Sequence, residues 1–136
     1  MTKKHYILAY FASLFTFLIM DAVWLGVLAK GFYHEQLGHL MLDELRLDIA
    51  VFFYVFYIVG VVIFAVKPAI AEKSWWKAPV LGGLFGLLAY GAYDLTNMAT
   101  LKDWPFLMSY VDMAWGTFVT ASSACVGYFI THRVCK

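Results

Sequence analysis

Four long apolar segments dominate the sequence, and each contains at most one charged residue. They cover about residues 6–29, 49–66, 79–101 and 105–131. Each reaches the ~17–25 residues that a helix needs to cross the hydrocarbon core of a bilayer. Because backbone polar groups find no water in lipid, such segments must satisfy their hydrogen bonds internally as helices. We therefore expect an all-α, four-helix transmembrane bundle that forms a single domain over residues 1–136.

The composition excludes several other classes of protein. Hydrophobic residues make up 63% of the chain and charged residues 14%, whereas a soluble domain usually has about 25% charged residues. So few charges would not keep a water-exposed globule in solution. A nucleic-acid-binding protein would also need a basic patch, and the formal net charge is only +1. We therefore expect no nucleic-acid partner.

The distribution of Lys and Arg predicts the orientation in the membrane, because these residues concentrate in cytoplasmic loops. Seven lie on one side of the predicted bundle and three lie on the other. The larger group is Lys3, Lys4, Lys67, Lys73, Lys77, Arg133 and Lys136, and the smaller group is Lys30, Arg46 and Lys102. We predict a multi-pass protein of a bacterial inner membrane with both termini in the cytoplasm. Residues 30–48 and 102–104 would then face outward.

The first outer loop has a helical pattern of its own. Apolar residues recur at helical spacing at Leu37, Leu40, Met41 and Leu45. Glu35, His39 and Asp43 follow one another at four-residue spacing on another face. The pattern predicts a short amphipathic helix on the outer membrane surface between the first two spans. Two carboxylates and an imidazole could ligate zinc, but a solvated helix face is the simpler interpretation, and we expect no metal or other cofactor.

Three aspartates are the most informative residues. Asp21, Asp94 and Asp112 interrupt the first, third and fourth apolar segments, where a charge costs ~2.5–3.5 kcal/mol or more. Each lies seven or eight residues from the predicted outer end of its helix, which places it ~10–12 Å below the outer surface. We therefore expect the three carboxyl groups to meet at one level. The second helix offers Tyr54 and Tyr57 at a similar depth.

No Lys or Arg lies inside any of the four segments. Burial and like charge both disfavour ionised carboxylates, so we expect one or more of the three acids to be protonated. The alternatives are a bound cation, a water-filled vestibule, or a cationic side chain that reaches inward from Lys30, Arg46 or Lys102.

Polar and aromatic residues share the predicted level of the three acids. They complete a candidate ligand-binding site whose further members are Trp24, Tyr57, Tyr90, Tyr93, Asn97 and Trp115. We predict that the site binds a lipid-like or amphipathic molecule whose polar end is cationic or hydroxylated. Asp21, Asp94 and Asp112 are the candidates for a general acid or base. A purely structural role is the alternative, with acids that hold the helices together and tryptophans that anchor them at the interface.

An Asp-x-x-Trp motif occurs twice. Met20 to Trp24 in the first helix is echoed by Val111 to Trp115 in the fourth. The two helices run in opposite directions, so an inverted repeat is conceivable. A match over five residues is short, and chance similarity is the favoured explanation.

Several segments resemble a bacterial family of small predicted membrane proteins of unknown function. They are residues 21–26 (DAVWLG), 93–102 (YDLTNMATLK) with Trp104-Pro105, and 112–116 (DMAWG). The resemblance covers nearly the whole chain and is most specific between Asp94 and Pro105. It implies a link to membrane lipid modification, but no established activity that could be transferred to this chain.

The sequence leaves open whether the protein is an enzyme. It has no recognisable nucleophile with an oriented base, no phosphate loop and no dinucleotide motif. A proton- or cation-coupled small transporter is one alternative, since intramembrane acids are typical of transporters. Four spans are few for that task, so a homodimer would be expected. An accessory subunit of a membrane lipid-modifying enzyme is the other.

Overall fold

The computed structural model describes residues 1–135, so Lys136, one of the basic residues used above to predict orientation, lies outside the described residues. Within this range the chain forms helices and no strands. Helix α2 spans Lys30–Leu37. The four longer helices are α1 (Lys3–Leu28), α3 (Leu47–Ala71), α4 (Lys77–Thr100) and α5 (Phe106–Val134), each long and apolar enough to cross a membrane. The expected all-α bundle with four spans is confirmed.

The largest difference from the expected helix ends is in α3, which continues five residues beyond Val66 to Ala71. A charged residue, Lys67, begins this extension, and its ammonium group lies 6.0 Å from the ring centroid of Tyr6 on α1. An ammonium over an aromatic face is stabilised by the ring quadrupole. The end of the apolar run therefore does not end the helix.

Helix α5 lies between α1 and α4 and contacts both along much of its length. Its contact with α4 depends on small residues, as helix contacts in lipid generally do. A Cβ atom on Gly86 would collide with the carbonyl oxygen of Gly116 and with the Thr120 side chain. The two backbones therefore approach too closely for any residue with a side chain at position 86.

Helix α3 leans away from α4 at one end. Its π-helical segment Val62–Val66 packs against α4 and α5, whereas Leu47–Val61 packs mainly against α1. A π-helical turn inserts an extra residue into the helix and changes its direction. The change leaves a gap between α3 and α4 at the end of the bundle where α3 begins. Because α2 lies at that end as well, we call it the α2 end.

Large apolar side chains cover the outside of the four long helices. Ile19 is 64% exposed, Phe56 is 71% exposed and Leu88 is 64% exposed. Water would not tolerate apolar surface of this extent on a monomeric protein, whereas the hydrocarbon core of a bilayer provides matching surroundings. The outer surface of the bundle is therefore suited to contact with lipid.

The amphipathic helix between the first two spans is shorter than expected and begins earlier. It covers Lys30–Leu37, a 3₁₀ turn covers Gly38–Leu40, and no helix follows until Leu47. Glycine is a poor helix former, and Gly38 follows directly after the last residue of α2. Asp43 therefore lies outside any helix, and the expected face of Glu35, His39 and Asp43 does not form.

Candidate functional site

The carboxylate of Asp21 is buried between three helices near the α2 end. Asp21 is 5% exposed and lies in the last turns of α1. Its Oδ2 accepts a hydrogen bond from the Tyr54 hydroxyl of α3 at 2.5 Å, and its Oδ1 accepts one from Nε1 of Trp115 on α5 at 3.2 Å. The tyrosine hydroxyl and the indole N–H each carry one polar hydrogen, which needs an acceptor when it is buried. Asp21 supplies that acceptor to two other helices.

Asp112 on α5 holds α2 against the bundle. Its Oδ1 accepts a hydrogen bond from the Tyr33 hydroxyl at 2.7 Å, and that hydroxyl accepts one from Nε1 of Trp24 at 3.2 Å. Burial raises the pKa of Tyr33, and the nearby carboxylate of Asp112 raises it further. The hydroxyl therefore stays protonated and keeps donating to Asp112 over the physiological range.

Asp94 differs from the other two acids because no hydroxyl or N–H group of the described residues donates to it. It is 0% exposed, and neither carboxyl oxygen makes a hydrogen bond within residues 1–135. Its carboxyl lies close enough to Asp112 for the two groups to interact electrostatically, and Asp112 interacts in the same way with Asp21. The three acids thus form one cluster inside the bundle, with Asp112 as its common member.

The two Asp-x-x-Trp motifs meet inside this cluster. The indole rings of Trp24 and Trp115 are stacked, with centroids 4.4 Å apart and planes inclined by 6°. Each tryptophan serves the aspartate of the other motif: Trp115 donates to Asp21 directly, and Trp24 donates to the Tyr33 hydroxyl that binds Asp112. The short sequence match therefore has a reciprocal counterpart in space.

A cavity of about 780 Å³ opens in the gap between α3 and α4. Its volume is within the range of small-molecule sites. Asp112 and Arg46 are its charged lining residues, and Tyr54, Tyr90 and Tyr93 also line it. The rest of the wall is apolar: Leu42, Ile49, Ala50, Phe53 and Ala89. Of the three acids, Asp112 thus faces this mainly apolar cavity.

The expected site residues divide between the cluster, the cavity and the surrounding core. Tyr90 lines the cavity, and Tyr93 lines it while remaining 54% exposed and packing edge-on against Trp104. Tyr57 lies outside the cavity, because its hydroxyl is paired with Thr120 at 2.8 Å and its ring stacks on Phe85. Asn97 is half-buried on α4, three residues after Asp94.

Several residues of the cluster and cavity were not among the expected site residues: the apolar lining residues, Tyr54, which was noted only for its depth, and also Tyr33 and Arg46. Tyr33 lies in α2, where no apolar periodicity indicated that a residue would turn toward the bundle. Arg46 appeared only as one of three cations that could reach inward. In the structure Arg46 lines the same cavity as Asp112 while its guanidinium forms an ion pair with Asp48 at 3.3 Å.

The zinc site that Glu35, His39 and Asp43 could have formed is absent from the described residues. Among residues 1–135, no group of three or more His, Cys, Asp or Glu side chains is placed so that it could hold a metal ion. Because α2 ends at Leu37, Glu35, His39 and Asp43 do not share one helix face and do not form such a group.

A model of the family described as "Predicted membrane protein (DUF2177)" matches residues 6–129. The chain therefore belongs to this family of membrane proteins, in agreement with the resemblance seen in its motifs. No curated protein and no solved structure matches the chain.

Proposed function

We propose that this member of the family binds a lipid-like, amphipathic molecule in the cavity between α3 and α4. The observation that carries the proposal is an apolar cavity lined by one half-buried acid, Asp112, behind which a second, fully buried acid lies. Asp112 lines the cavity and interacts with Asp94, whose oxygens are unpartnered. Ionisable groups inside a membrane protein are expensive and usually mark a functional site.

The position of the cavity favours a ligand that comes from the bilayer. Ile49 and Phe53 of α3 line it and are 56% and 49% exposed. Both are apolar residues of a helix long and apolar enough to span the membrane, so apolar side chains flank the opening. A tail could therefore remain among the acyl chains while the polar end enters between the helices.

The packing of the other half of the bundle favours binding over transport. Phe17, Ile58 and Val61 are fully buried there, and Phe85 stacks on Tyr57 and packs against Gly60 beneath the cavity. A transporter needs a second access route to the far side of the membrane. These buried apolar side chains do not provide such a route, so transport is the second candidate.

We also propose that the α2 end faces outward in a bacterial inner membrane, with both termini in the cytoplasm. The excess of Lys and Arg at the opposite end supports this orientation. Trp75 and Trp76 lie at that opposite end and are 55% and 52% exposed, as suits interfacial anchors. Labelling of single cysteines with a membrane-impermeant maleimide in spheroplasts tests it, with His39→Cys expected to react and Ser74→Cys expected to be protected.

A variant that fills the cavity tests ligand binding. Ala89 lines the cavity, whereas Ala92 on the same helix is exposed and does not line it. Protein purified in mild detergent and examined by native mass spectrometry should retain a lipid in the parent and in Ala92→Trp. Ala89→Trp should lose it. Equal retention by all three proteins would contradict the proposal, as would the absence of any retained lipid in the parent.

A further inference from the structure

Opposite charges lie at different depths of the cavity. Arg46 directly precedes Leu47, the first residue of α3, so it lies at the mouth of the cavity. Asp112 lies six residues into α5, which is ~9 Å below the α2 end at 1.5 Å per residue. The cavity therefore presents a cation near the surface and an anion deeper inside.

We propose that the cavity selects a zwitterionic phospholipid with a primary ammonium group, of the phosphatidylethanolamine type. The ammonium group would bind at Asp112 and the phosphate at Arg46. This inference rests on the proposed function, because it names the class of the amphipathic ligand.

The hydrogen-bond requirements of the acids indicate a primary ammonium group. Tyr33 donates to Oδ1 of Asp112, and the two oxygens of the neighbouring Asp94 have no donor within the described residues. A primary ammonium group supplies three N–H donors and a positive charge. A quaternary ammonium group supplies the charge without the donors, and a glycerol headgroup supplies donors without the charge. The ethanolamine headgroup alone of these three supplies both.

The guanidinium of Arg46 can bind a phosphate at the mouth. Its hydrogen bonds to Asp48, through Nε and one terminal nitrogen, are both 3.3 Å long and exposed. A guanidinium has five N–H donors, and its planar geometry suits phosphate oxygens. Donors therefore remain for a phosphate even while the contact with Asp48 persists.

The walls between these charges suit the remainder of a lipid. Ile49, Phe53 and Ala89 line the cavity on the α3 and α4 sides, and the first two are exposed apolar residues. A headgroup held by Arg46 and Asp112 would leave its acyl chains against these residues. No polar group of the ligand would then have to enter the hydrocarbon unpaired.

Competition among three lipids with the same acyl chains tests the inference. The full chain in mild detergent is mixed with equal amounts of dioleoyl phosphatidylethanolamine, phosphatidylcholine and phosphatidylglycerol, and bound lipids are counted by native mass spectrometry. Phosphatidylethanolamine should be retained about tenfold more than either competitor, the order of factor that one charge-assisted hydrogen bond supplies.

Variants separate the two ends of the headgroup. Asp112→Asn should abolish the preference for phosphatidylethanolamine while phosphatidylcholine and phosphatidylglycerol stay at the parent level, and Arg46→Gln should weaken retention of all three lipids. Lys102→Gln, at an exposed position away from the cavity, is the control and should bind as the parent does. Because Asp112→Asn could loosen α2 through Tyr33, Asp94→Asn serves as a second variant that keeps this hydrogen bond. Asp94 does not itself line the cavity and lies beside Asp112, so a partial loss of preference is expected.

Two results would overturn the inference in distinguishable ways. If the parent retains the three lipids equally and Ala89→Trp retains none of them, the cavity binds lipid without recognising the ammonium group. The proposed function would then stand and the inference would fail. Lipid retention that Ala89→Trp does not reduce would contradict both.

Discussion

The indole rings of Trp24 and Trp115 stack in parallel with centroids 4.4 Å apart, and Trp115 donates its N–H to Asp21 while Trp24 donates its N–H to the Tyr33 hydroxyl. The stack joins the end of α1 to the first third of α5. Aromatic pairs of this kind contribute ~0.5–1.5 kcal/mol beyond the burial of their area. The pair therefore fixes the two Asp-x-x-Trp motifs against each other at the centre of the site.

The stack predicts an energetic coupling between the two tryptophans. Trp24→Leu, Trp115→Leu and the double variant should give a coupling free energy of ~0.5–1.5 kcal/mol in thermal unfolding in detergent. The same cycle with Trp24→Leu and Trp75→Leu should be additive, because Trp75 lies at the opposite end of the bundle. Additive effects for Trp24 and Trp115 would show that the rings do not stabilise each other.

Asp21 should tolerate an amide but not an apolar residue of the same size. In Asp21→Asn, the amide oxygen can accept from Trp115 and the amide nitrogen can donate to the Tyr54 oxygen. In Asp21→Leu, two buried donors lose their acceptor, at a cost of ~1–3 kcal/mol each. Thermal unfolding should rank Asp21→Leu well below Asp21→Asn, and equal stabilities would mean that the two hydrogen bonds are not formed.

Tyr33→Phe should release α2 from the bundle without unfolding the four long helices. The substitution removes the donor to Asp112 and the acceptor for Trp24. Hydrogen exchange at the amides of Lys30–Leu37 should accelerate while exchange in α5 stays unchanged. Tyr110→Phe is the matched control, since Tyr110 is 60% exposed. Unchanged exchange in α2 would show that other contacts hold it.

Gly86→Ala should be among the most destabilising single substitutions. The added methyl group would collide with the backbone of Gly116 and with Thr120, and overpacking of this kind typically costs ~1–3 kcal/mol. Gly26→Ala is the control, because its Cβ would meet nothing within 4 Å and alanine favours the helix. Equal melting temperatures for the two variants would contradict the close contact of α4 and α5.

Asp94→Asn should weaken the lipid preference without lowering the stability of the protein. No hydroxyl or N–H group within residues 1–135 donates to the carboxyl of Asp94, which lies beside Asp112, so the amide leaves no buried donor without its acceptor. The melting temperature should stay the same or rise, while the preference for phosphatidylethanolamine falls. A clear loss of stability would instead favour a role for Asp94 as a link between helices.

The sequence predicts the four spans and the acids well because both signals are local. An isolated aspartate in an apolar run is visible without any knowledge of tertiary structure, and the common depth of Asp21, Asp94 and Asp112 follows from the helix rise. Tyr90, which was expected at the same level, lines the cavity together with Asp112. The depth of a residue along its helix therefore predicts its neighbours only when its side chain points into the bundle.

The sequence does not show how each helix is rotated about its own axis or which path each loop follows. Tyr57 has the right depth, but its hydroxyl turns to Thr120, a choice set by the packing of α3 against α5. Tyr33 comes from a surface helix that docks through hydrogen bonds of the Tyr33 hydroxyl with Asp112 and Trp24. The gap between α3 and α4 depends on a π-helical turn at Val62–Val66, for which the run of apolar residues gives no indication.

Crystals grown from a lipid mesophase doped with phosphatidylethanolamine would test the binding of a lipid headgroup at the acid cluster most directly. We expect density for one lipid in the cavity, with its amine within hydrogen-bond distance of Asp112 and its acyl chains leaving between α3 and α4. An empty cavity beside well-ordered lipids on the outer faces of the helices would contradict the account.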